Sequence, residues 1–383
     1  MIVSHLKLQN WKNFQHVDVS LGSRMFLVGP NASGKSNFLD AFRFLRDIVK
    51  PGGGLQKALS DRGGLSKIKC LSAGMHPGVS IEIHLSEMYG KKPTWIYSLA
   101  VKPEVRGRHN AVIVHEKVWN KNEGYVLDRP NIDDEADKLQ LTASHIEHLS
   151  TNKKFREIAK FFEAINYLHL IPQLLRHPED FSRRSSAEDP FGGNFLEKVI
   201  DTNEKVQKSR MRKIEAALRW AVPQLKQLGV VKDDKGIPHL EAIYEHWRPN
   251  AGKQREDQFS DGTLRLIGLL WSLLDGESLL LLEEPELSLH AAIVSQMPGL
   301  IYRIQKQKGR QVFISSHSAD LLSDEGIGGE EVLLLKPNRE GTSIVVAKDI
   351  PEVKELLSTG MTAADAIMPR TTSENIGQLS FFE

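Results

Sequence analysis

The chain lacks several features that define common classes of protein. It has one cysteine, Cys70, in 383 residues, which excludes an intrachain disulfide and a cysteine-based zinc site. Its net charge of +1 argues against a general polyanion binder but leaves a local basic patch open. The longest apolar stretch, 264–282, contains Arg265 and a polar break at 275–278, so it does not predict a membrane span. The first residues show no signal-peptide pattern, and we expect a cytoplasmic protein with no membrane partner.

The strongest local pattern is a glycine-rich loop at residues 29–36. It fits GxxxxGK followed by Ser or Thr at every fixed position. Apolar residues at 24–28 predict a buried strand before the loop, and the spacing of apolar residues over 37–48 predicts a helix after it. Glycines let backbone N–H groups turn towards phosphate oxygens, and the start of a helix adds more N–H groups and a positive dipole end.

The loop therefore predicts a nucleotide site. Lys35 is expected to reach the β- and γ-phosphates, and the Ser36 hydroxyl to ligate Mg²⁺. The predicted nucleotide contacts in this segment are Gly29, Pro30, Asn31, Ala32, Ser33, Gly34, Lys35, Ser36 and Asn37.

A run of carboxylates follows a second predicted buried strand at 279–282. Ligands of parallel α/β sheets lie at the carboxyl ends of the strands, so these acids are expected to face the loop. Glu283 is expected to orient Mg²⁺ through water, and Glu284 to act as the general base that activates the attacking water. The alternative interpretation is a solvated acidic turn.

Two weaker patterns complete the candidate site. A predicted strand at 311–315 is followed by His317, which is expected at the same sheet edge in contact with the γ-phosphate. The tripeptide Ser260-Asp261-Gly262 begins a predicted helix and offers a hydroxyl and N–H donors to a phosphate. Each has an ordinary alternative, an incidental histidine in the first case and a common turn and N-cap in the second.

The order of predicted elements indicates an α/β protein with a parallel core sheet. We expect residues 1–50 and 255–350 to form the nucleotide-binding core. Residues 51–150 are expected to form loops and an antiparallel β lobe, because three segments alternate apolar and polar residues. Residues 151–254 are expected to form a helical insertion, and 351–383 a C-terminal helix and tail.

Together, these motifs resemble those of ABC-type ATPases of the RecF/SMC/OLD-like clan, and most closely a bacterial branch of single-chain AAA-type ATPases. Residues 29–36 are similar to the Walker A motif, 279–284 to Walker B, and 260–262 to the signature motif. The resemblance implies a P-loop ABC-ATPase head with a parallel core sheet, an antiparallel β subdomain and an inserted helical subdomain.

The resemblance also implies roles for individual residues. The implied catalytic residues are Lys35, Glu284 and His317, the implied metal ligands are Ser36 and Glu283, and the further implied nucleotide contacts are Lys12, Asn13, Ser260, Asp261 and Gly262. Two positions depart from the family pattern, because Glu283 and His290 stand where many relatives have Asp.

The mechanism that the resemblance implies is slow ATP hydrolysis with ATP and Mg²⁺ as cofactors. Two heads sandwich two ATP molecules, so that ATP joins a homodimer and hydrolysis releases it. In that arrangement the signature serine of one head contacts the γ-phosphate held by the other.

Three outputs remain open at this stage. The first is a switch that controls a partner effector, in phage defence or genome maintenance. The second is a RecF-like clamp that binds DNA, for which the basic residues of 205–219, with Arg183 and Arg184, are either a footprint or a solvated face. The third is the nucleotide-binding subunit of a transporter. The aromatic end of the tail 371–383 is either a docking segment or a frayed terminus.

Overall fold

A computed structural model describes residues 1–74, 78–104, 110–176, 191–248 and 252–371. The chain divides into two compact units. Unit 1 comprises Met1–Asn166, Glu277–Leu281 and Lys308–Glu383, and unit 2 comprises Tyr167–Gly276 and Leu282–Gln307. Arg183, Arg184 and the tail beyond Thr371 lie outside the described residues, so their predicted roles stay predictions.

Unit 1 contains an antiparallel sheet in the order β2-β1-β4-β5-β6-β7. The first seven strands of the chain are β1 (Ile2–Trp11), β2 (Phe14–Ser20), β3 (Arg24–Val28), β4 (Val79–Ser86), β5 (Trp95–Pro103), β6 (Ala111–Asn120) and β7 (Gly124–Arg129). The alternation in β4 buries Val79, Ile81 and Ile83 on one face of this sheet, as the sequence pattern predicts. Its first two strands, β1 and β2, come from the N-terminal segment that we expected in the nucleotide-binding core.

The second sheet has the order β15-β14-β3-β13-β12-β8. Its remaining strands are β8 (Asn166–Leu168), β12 (Leu280–Glu283), β13 (Val312–Ser316), β14 (Val332–Asn338) and β15 (Gly341–Val346). The strands β13 and β14 pair with β3 in parallel, whereas β15 pairs with β14 antiparallel. All five residues of β3 are buried, as expected for a strand covered on both faces. The predicted α/β class is confirmed, with a sheet that is mixed at one edge.

The helices of unit 1 pack their apolar faces on these sheets. The P-loop helix, Lys35–Val49, places Phe38 6.5 Å from Phe14 and Phe42 5.3 Å from Phe313, measured between ring centroids. The other α-helices that lie within unit 1 are Leu55–Ser60, Leu65–Ile68, Ile132–Ala136, Arg156–Glu163, Ala319–Leu322, Pro351–Ser358 and Ala363–Ile367.

A buried ion cluster fixes the end of the antiparallel sheet. The Arg129 side chain donates to the Glu116 carboxylate at 3.0 Å and to the Asp134 carboxylate at 2.6 Å. All three residues are at most 1% exposed. Burial by itself would lower the pKa of the Arg129 guanidinium, but the two carboxylates outweigh it and raise that pKa, so Arg129 stays charged.

Unit 2 combines helices with a three-stranded antiparallel sheet in the order β11-β10-β9. Its strands are β9 (Leu225–Lys232), β10 (Pro238–Tyr244) and β11 (Lys253–Arg255). Among the described residues of unit 2, the α-helices are Pro172–Arg176, Phe195–Asp201, Glu204–Ala221, Asp261–Leu274, Ala291–Val294 and Met297–Lys308. The last of these ends at the first residue of the next part of unit 1. Among the described residues, no helix is both long enough and apolar enough to cross a membrane.

Two predicted helices differ from those observed. Apolar spacing over 152–170 predicts one helix, but the helix is Arg156–Glu163 and β8 follows, where the Asn166 N–H pairs with the Leu279 carbonyl oxygen. The sequence also predicts one helix over 287–307, but the long helix begins only at Met297, after the short helix Ala291–Val294. Pro298 therefore lies in the first helical turn, where its missing N–H costs no intrahelical hydrogen bond.

Candidate functional site

The P-loop, residues 29–36, joins β3 to the P-loop helix through a tight backbone path. Ala32 and Gly34 have φ angles of 61° and 96°, in the left-handed region. A Cβ atom on Gly29 would lie 2.7 Å from the Leu335 carbonyl oxygen, and one on Gly34 would lie 2.1 Å from Asn13 Nδ2. Both positions therefore require glycine, which is what a backbone cradle for phosphate needs.

The start of the P-loop helix is suited to an anion. Its N-cap is Gly34, and within the described part of the chain no side chain caps it and no acid lies in its first turn. A helix of 15 residues that starts in this way directs uncapped N–H groups and a positive dipole end at the loop.

The side chains of the loop fit a nucleoside triphosphate with Mg²⁺. Lys35 Nζ lies 3.0 Å from the Gly29 carbonyl oxygen and is almost completely buried, within the loop that would surround the phosphates. Ser36, at the start of the helix, is exposed. Ser33 Oγ is buried and has no hydrogen-bond partner among the described residues, so a polar atom of the cradle is left for a ligand.

The Asn13 side chain supports the P-loop through three hydrogen bonds, which we call the Asn13 brace. Its Nδ2 donates to the Ser33 carbonyl oxygen at 2.9 Å and to Thr342 Oγ1 at 2.8 Å. Its Oδ1 accepts a hydrogen bond from Asn37 Nδ2 at 2.8 Å. A backbone hydrogen bond adds to these contacts: the Thr342 N–H donates to the Asn13 carbonyl oxygen at 2.8 Å. The amide thus connects the turn after β1, the P-loop, its helix and β15.

Lys12 points at an acidic cluster on the P-loop helix. Its Nζ lies 2.6 Å from Asp40 Oδ2, and Arg62 binds both Asp40 and Asp47. Burial alone would raise the pKa of Asp40, but the charges of Arg62 and then Lys12 outweigh it and hold that pKa below its usual value. The expected nucleotide contact of Lys12 stays a prediction, and its ion pair places the residue beside the helix that starts the site.

The structure brings His317 and the P-loop to one edge of the core sheet. In the parallel pairing of β13 with β3, Ser316 lies opposite Val28, so His317 and Gly29 follow at the same level. His317 is exposed at this edge. The short helix that follows is capped by the Ser318 hydroxyl, which accepts from the Leu321 N–H.

The predicted carboxylates belong to unit 2. The Tyr167 hydroxyl donates a hydrogen bond to the Glu283 carboxylate and so fixes its orientation. Glu284 has a φ angle of 44°, an unusual value for a residue with a side chain, and such backbone strain concentrates at functional positions. Glu286 is buried. Burial lowers the pKa of Arg265, and the charges of Asp261 and Glu286 act in the opposite direction.

The tripeptide at 260–262 begins the Asp261–Leu274 helix in unit 2. Ser260 is its N-cap, with Oγ accepting from the Thr263 N–H at 3.2 Å, and the residue is exposed. Asp261 is held by Arg176 at 2.6 Å. A Cβ atom on Gly262 would lie 2.6 Å from the Ser288 carbonyl oxygen, so glycine allows the turn after the acidic run to pack on the helix start.

Three supporting residues escaped the sequence reasoning. Thr342 carries no motif and lies 329 positions from the asparagine that it contacts. Tyr167, which contacts Glu283, lies within a segment that we predicted as helix. Asp40 had a weak signal, because its spacing of seven from Asp47 places both acids on one face of the P-loop helix.

These observations define the class of the protein. A P-loop between a buried parallel strand and a helix, beside an antiparallel sheet, is the architecture of an ABC-type ATPase head of the RecF/SMC clan. The chain belongs to the family described as "AAA domain, putative AbiEii toxin, Type IV TA system", whose profile matches residues 24–324. Members of this family are generally ATPases. The predicted resemblance to ABC-type ATPases of the RecF/SMC clan is confirmed.

A solved structure agrees on the fold. The chain is similar to an SMC head bound to the C-terminal winged-helix domain of ScpA, with 14% identity, a TM-score of 0.50, and coverage of 90% of this chain and 97% of that one. It is also similar to the SMC head domain from Thermotoga maritima, with 14% identity, a TM-score of 0.48, and coverage of 90% and 99%. No curated protein sequence matches the chain significantly.

Proposed function

We propose that the protein is an ATP-binding and ATP-hydrolysing head that forms a homodimer around ATP and controls a partner effector. The observation that carries the proposal is the phosphate cradle of unit 1, where an uncapped helix of 15 residues starts from a loop that requires glycine at two positions. A site of this kind holds the triphosphate through backbone N–H groups, with Lys35 as the point charge on its β- and γ-phosphates.

The chemistry that we propose uses four further residues. Ser36 and Glu283 would hold Mg²⁺, and the ion would supply positive charge next to the phosphates. Glu284 accepts a proton from the attacking water, and His317 contacts the γ-phosphate. The hydrogen bond from Tyr167 keeps the Glu283 carboxylate in one orientation for this task.

Dimerisation supplies the second half of each site. Ser260 is exposed at the start of a helix of 14 residues, so its hydroxyl and the N–H groups behind it can contact a phosphate held by another copy of the chain. Asp261 and Gly262 belong to the same surface. Since a bound triphosphate would join two copies and hydrolysis would separate them, the head works as a switch.

The output that we propose is control of an effector protein in phage defence or genome maintenance. The family description, which names an AbiEii toxin and a type IV toxin–antitoxin system, supports a defence context. The effector is a separate partner in this proposal, and the ATP-bound dimer is the form that binds it.

The test is the solution mass of the Glu284→Gln variant with and without ATP and Mg²⁺. The substitution removes the base and keeps the side-chain size, so ATP binds but is not hydrolysed, and the mass should double on ATP addition. Lys35→Ala, which loses the phosphate contact, and Ser260→Arg, which blocks the second half-site, should each abolish the doubling. Glu277→Gln is the matched control, because it makes the same change at an exposed carboxylate outside the motif and should behave as the unmodified protein.

A Glu284→Gln protein that binds ATP and stays monomeric would refute the dimer mechanism. A Glu284→Gln protein that hydrolyses ATP as fast as the unmodified protein would refute the assignment of Glu284 as the base. The trapped dimer would then serve to capture the effector, with the Lys35→Ala protein as the negative control.

A further inference from the structure

Positive charge is concentrated on one helix of unit 2. The basic helix, Glu204–Ala221, carries six basic and two acidic residues, whereas the whole chain has a net charge of only +1. Its buried residues are Met211, Ile214 and Leu218, which face the core of unit 2. The opposite face is therefore solvated and strongly positive.

The cations on that face are available to a ligand. Lys205, Arg212 and Lys213 are exposed, and within the described part of the chain they make no ion pair. Lys208 and Arg219 pair with Glu204 and Glu215 one turn away, in solvent-exposed contacts that contribute little to stability. A ligand that brings negative charge can therefore engage this face without breaking a buried interaction.

Two tryptophans stand out from the same region. Trp220, in the last turn of the basic helix, is 91% exposed, and Trp247, after β10, is 79% exposed. In contrast, Trp11, Trp95 and Trp271 are buried. Exposure of a ring this large leaves apolar area in water. Two such rings in one region indicate a surface that binds a ligand or a partner.

Strand pairing holds the two tryptophan-bearing segments together. The Glu245 N–H donates to the Gln224 carbonyl oxygen at 2.7 Å, so the end of β10 runs beside the segment that follows the basic helix. Arg219 donates to the Lys226 carbonyl oxygen, and Lys226 Nζ lies 3.3 Å from Glu245 Oε1. The segments that carry Trp220 and Trp247 therefore meet at one end of the basic helix.

An arginine and a histidine flank the second ring. The Arg248 guanidinium lies 4.5 Å from the centroid of the Trp247 ring, and the His246 ring stacks on the same side chain with centroids 5.7 Å apart. These contacts restrict the Trp247 ring while leaving most of its area exposed. Such a ring is a preformed platform on which a second flat group stacks.

We propose that this tryptophan–basic surface (Lys205, Arg212, Lys213, Trp220, Trp247 and Arg248) binds single-stranded nucleic acid. The unpaired cations fit phosphates at a spacing set by the helix, and the two tryptophans take up unstacked bases. The faces of the bases in a duplex are covered by stacking, so a duplex would contact the cations but would offer the tryptophans no base to stack on. An acidic protein partner would likewise satisfy the charge without a stacking partner for the rings.

The experiment measures the binding of fluorescein-labelled dT20 by anisotropy in 50 mM salt, without nucleoside triphosphate. Trp220→Ala and Trp247→Ala should each weaken binding by about 5- to 150-fold, since loss of stacking on one base changes affinity by this factor. Tyr125→Ala is the matched control, because this tyrosine is 65% exposed in unit 1, and its loss should leave the dissociation constant unchanged. A duplex of 20 base pairs should bind more weakly than dT20 and be insensitive to both tryptophan variants.

A second arm tests the cations. Replacing Arg212 and Lys213 together by Gln should lower affinity and reduce the slope of log affinity against log salt by about 1.4, or about 0.7 for each phosphate contact to a single strand. Tryptophan fluorescence should fall on dT20 binding, because the rings at this surface are exposed.

Three results would overturn the proposal. They are no saturable binding of dT20, binding that the tryptophan variants do not change, and duplex binding that equals single-strand binding. If dT20 does not bind but the tryptophan variants lose the effector captured by the trapped dimer, the surface docks a protein instead. Because the assay contains no ATP, its failure leaves ATP-dependent dimerisation untouched.

Discussion

The Asn13 brace provides the sharpest test of how the loop is held. Asn13→Ala removes two hydrogen bonds donated by Nδ2, to the Ser33 carbonyl oxygen and to Thr342 Oγ1, and one accepted from Asn37. A net hydrogen bond is worth about 1 kcal/mol, and the Asn37 amide can return to water. We therefore expect the free energy of local opening of the P-loop to fall by about 2 kcal/mol.

The assay is amide hydrogen exchange of the peptide that covers residues 29–37. A loss of about 2 kcal/mol corresponds to about 30-fold faster exchange in a segment that opens locally. Loss of loop preorganisation alone lowers the affinity for an ATP analogue by no more than this factor, so a larger fall would show that Asn13 also contacts the nucleotide. The matched control is Gln15→Ala, two residues further on, whose amide makes one exposed hydrogen bond to the Ser72 carbonyl oxygen.

A double-mutant cycle separates the brace from general damage. Thr342→Val removes the hydroxyl and keeps the shape, so the Asn13 and Thr342 changes should be non-additive by 0.5 kcal/mol or more. If exchange in the Asn13→Ala protein matches that of the Gln15→Ala protein, the brace does not hold the loop and our reasoning is wrong.

Two further predictions concern unit 1. Arg129→Met leaves two buried carboxylates without their cation and should cost about 3–5 kcal/mol in urea denaturation, whereas Lys117→Met, which breaks an exposed pair, should cost under about 1 kcal/mol. A hydrogen bond from His84, with help from Lys7, lowers the pKa of Glu82 from 4.5 to about 2, so its contribution to stability is complete above about pH 4.5 and is lost as the pH falls towards 2. Thermal denaturation of Glu82→Gln should accordingly vary less with pH in that window, and an unchanged pH profile would contradict the assignment.

Local signals were sufficient for the loop and for much of the sheet. The P-loop motif, the apolar strand before it and the helical spacing after it all concern residues close in sequence, so short-range rules apply. Alternation in β4 has the same local character. The predicted strand before His317 also appears, as β13, because a fully buried parallel strand has a continuous apolar sequence.

Long-range pairing was beyond the reach of the sequence. The segment Asn166–Leu168 has the apolar spacing of a helix end but is extended, because a sheet edge accepts its backbone. Thr342 and Arg129 have partners that only the folded chain selects. The exposure of Trp220 follows from its place opposite the buried face of its helix, but its proximity to the segment of Trp247 depends on strand pairing in the folded chain.

The brace on the P-loop also has a consequence for protein synthesis. Asn13 is made early, but its partner Thr342 follows 329 residues later, and Val3 pairs with Gln311 after a similar interval. At a ribosomal rate of roughly 5–20 residues per second, the loop waits on the order of 15–65 seconds for its support. All of unit 2 up to Gln307 is synthesised during that interval. A nascent chain should therefore acquire tight ATP binding only after Thr342 has been synthesised, which keeps heads without this support out of ATP-bound assemblies.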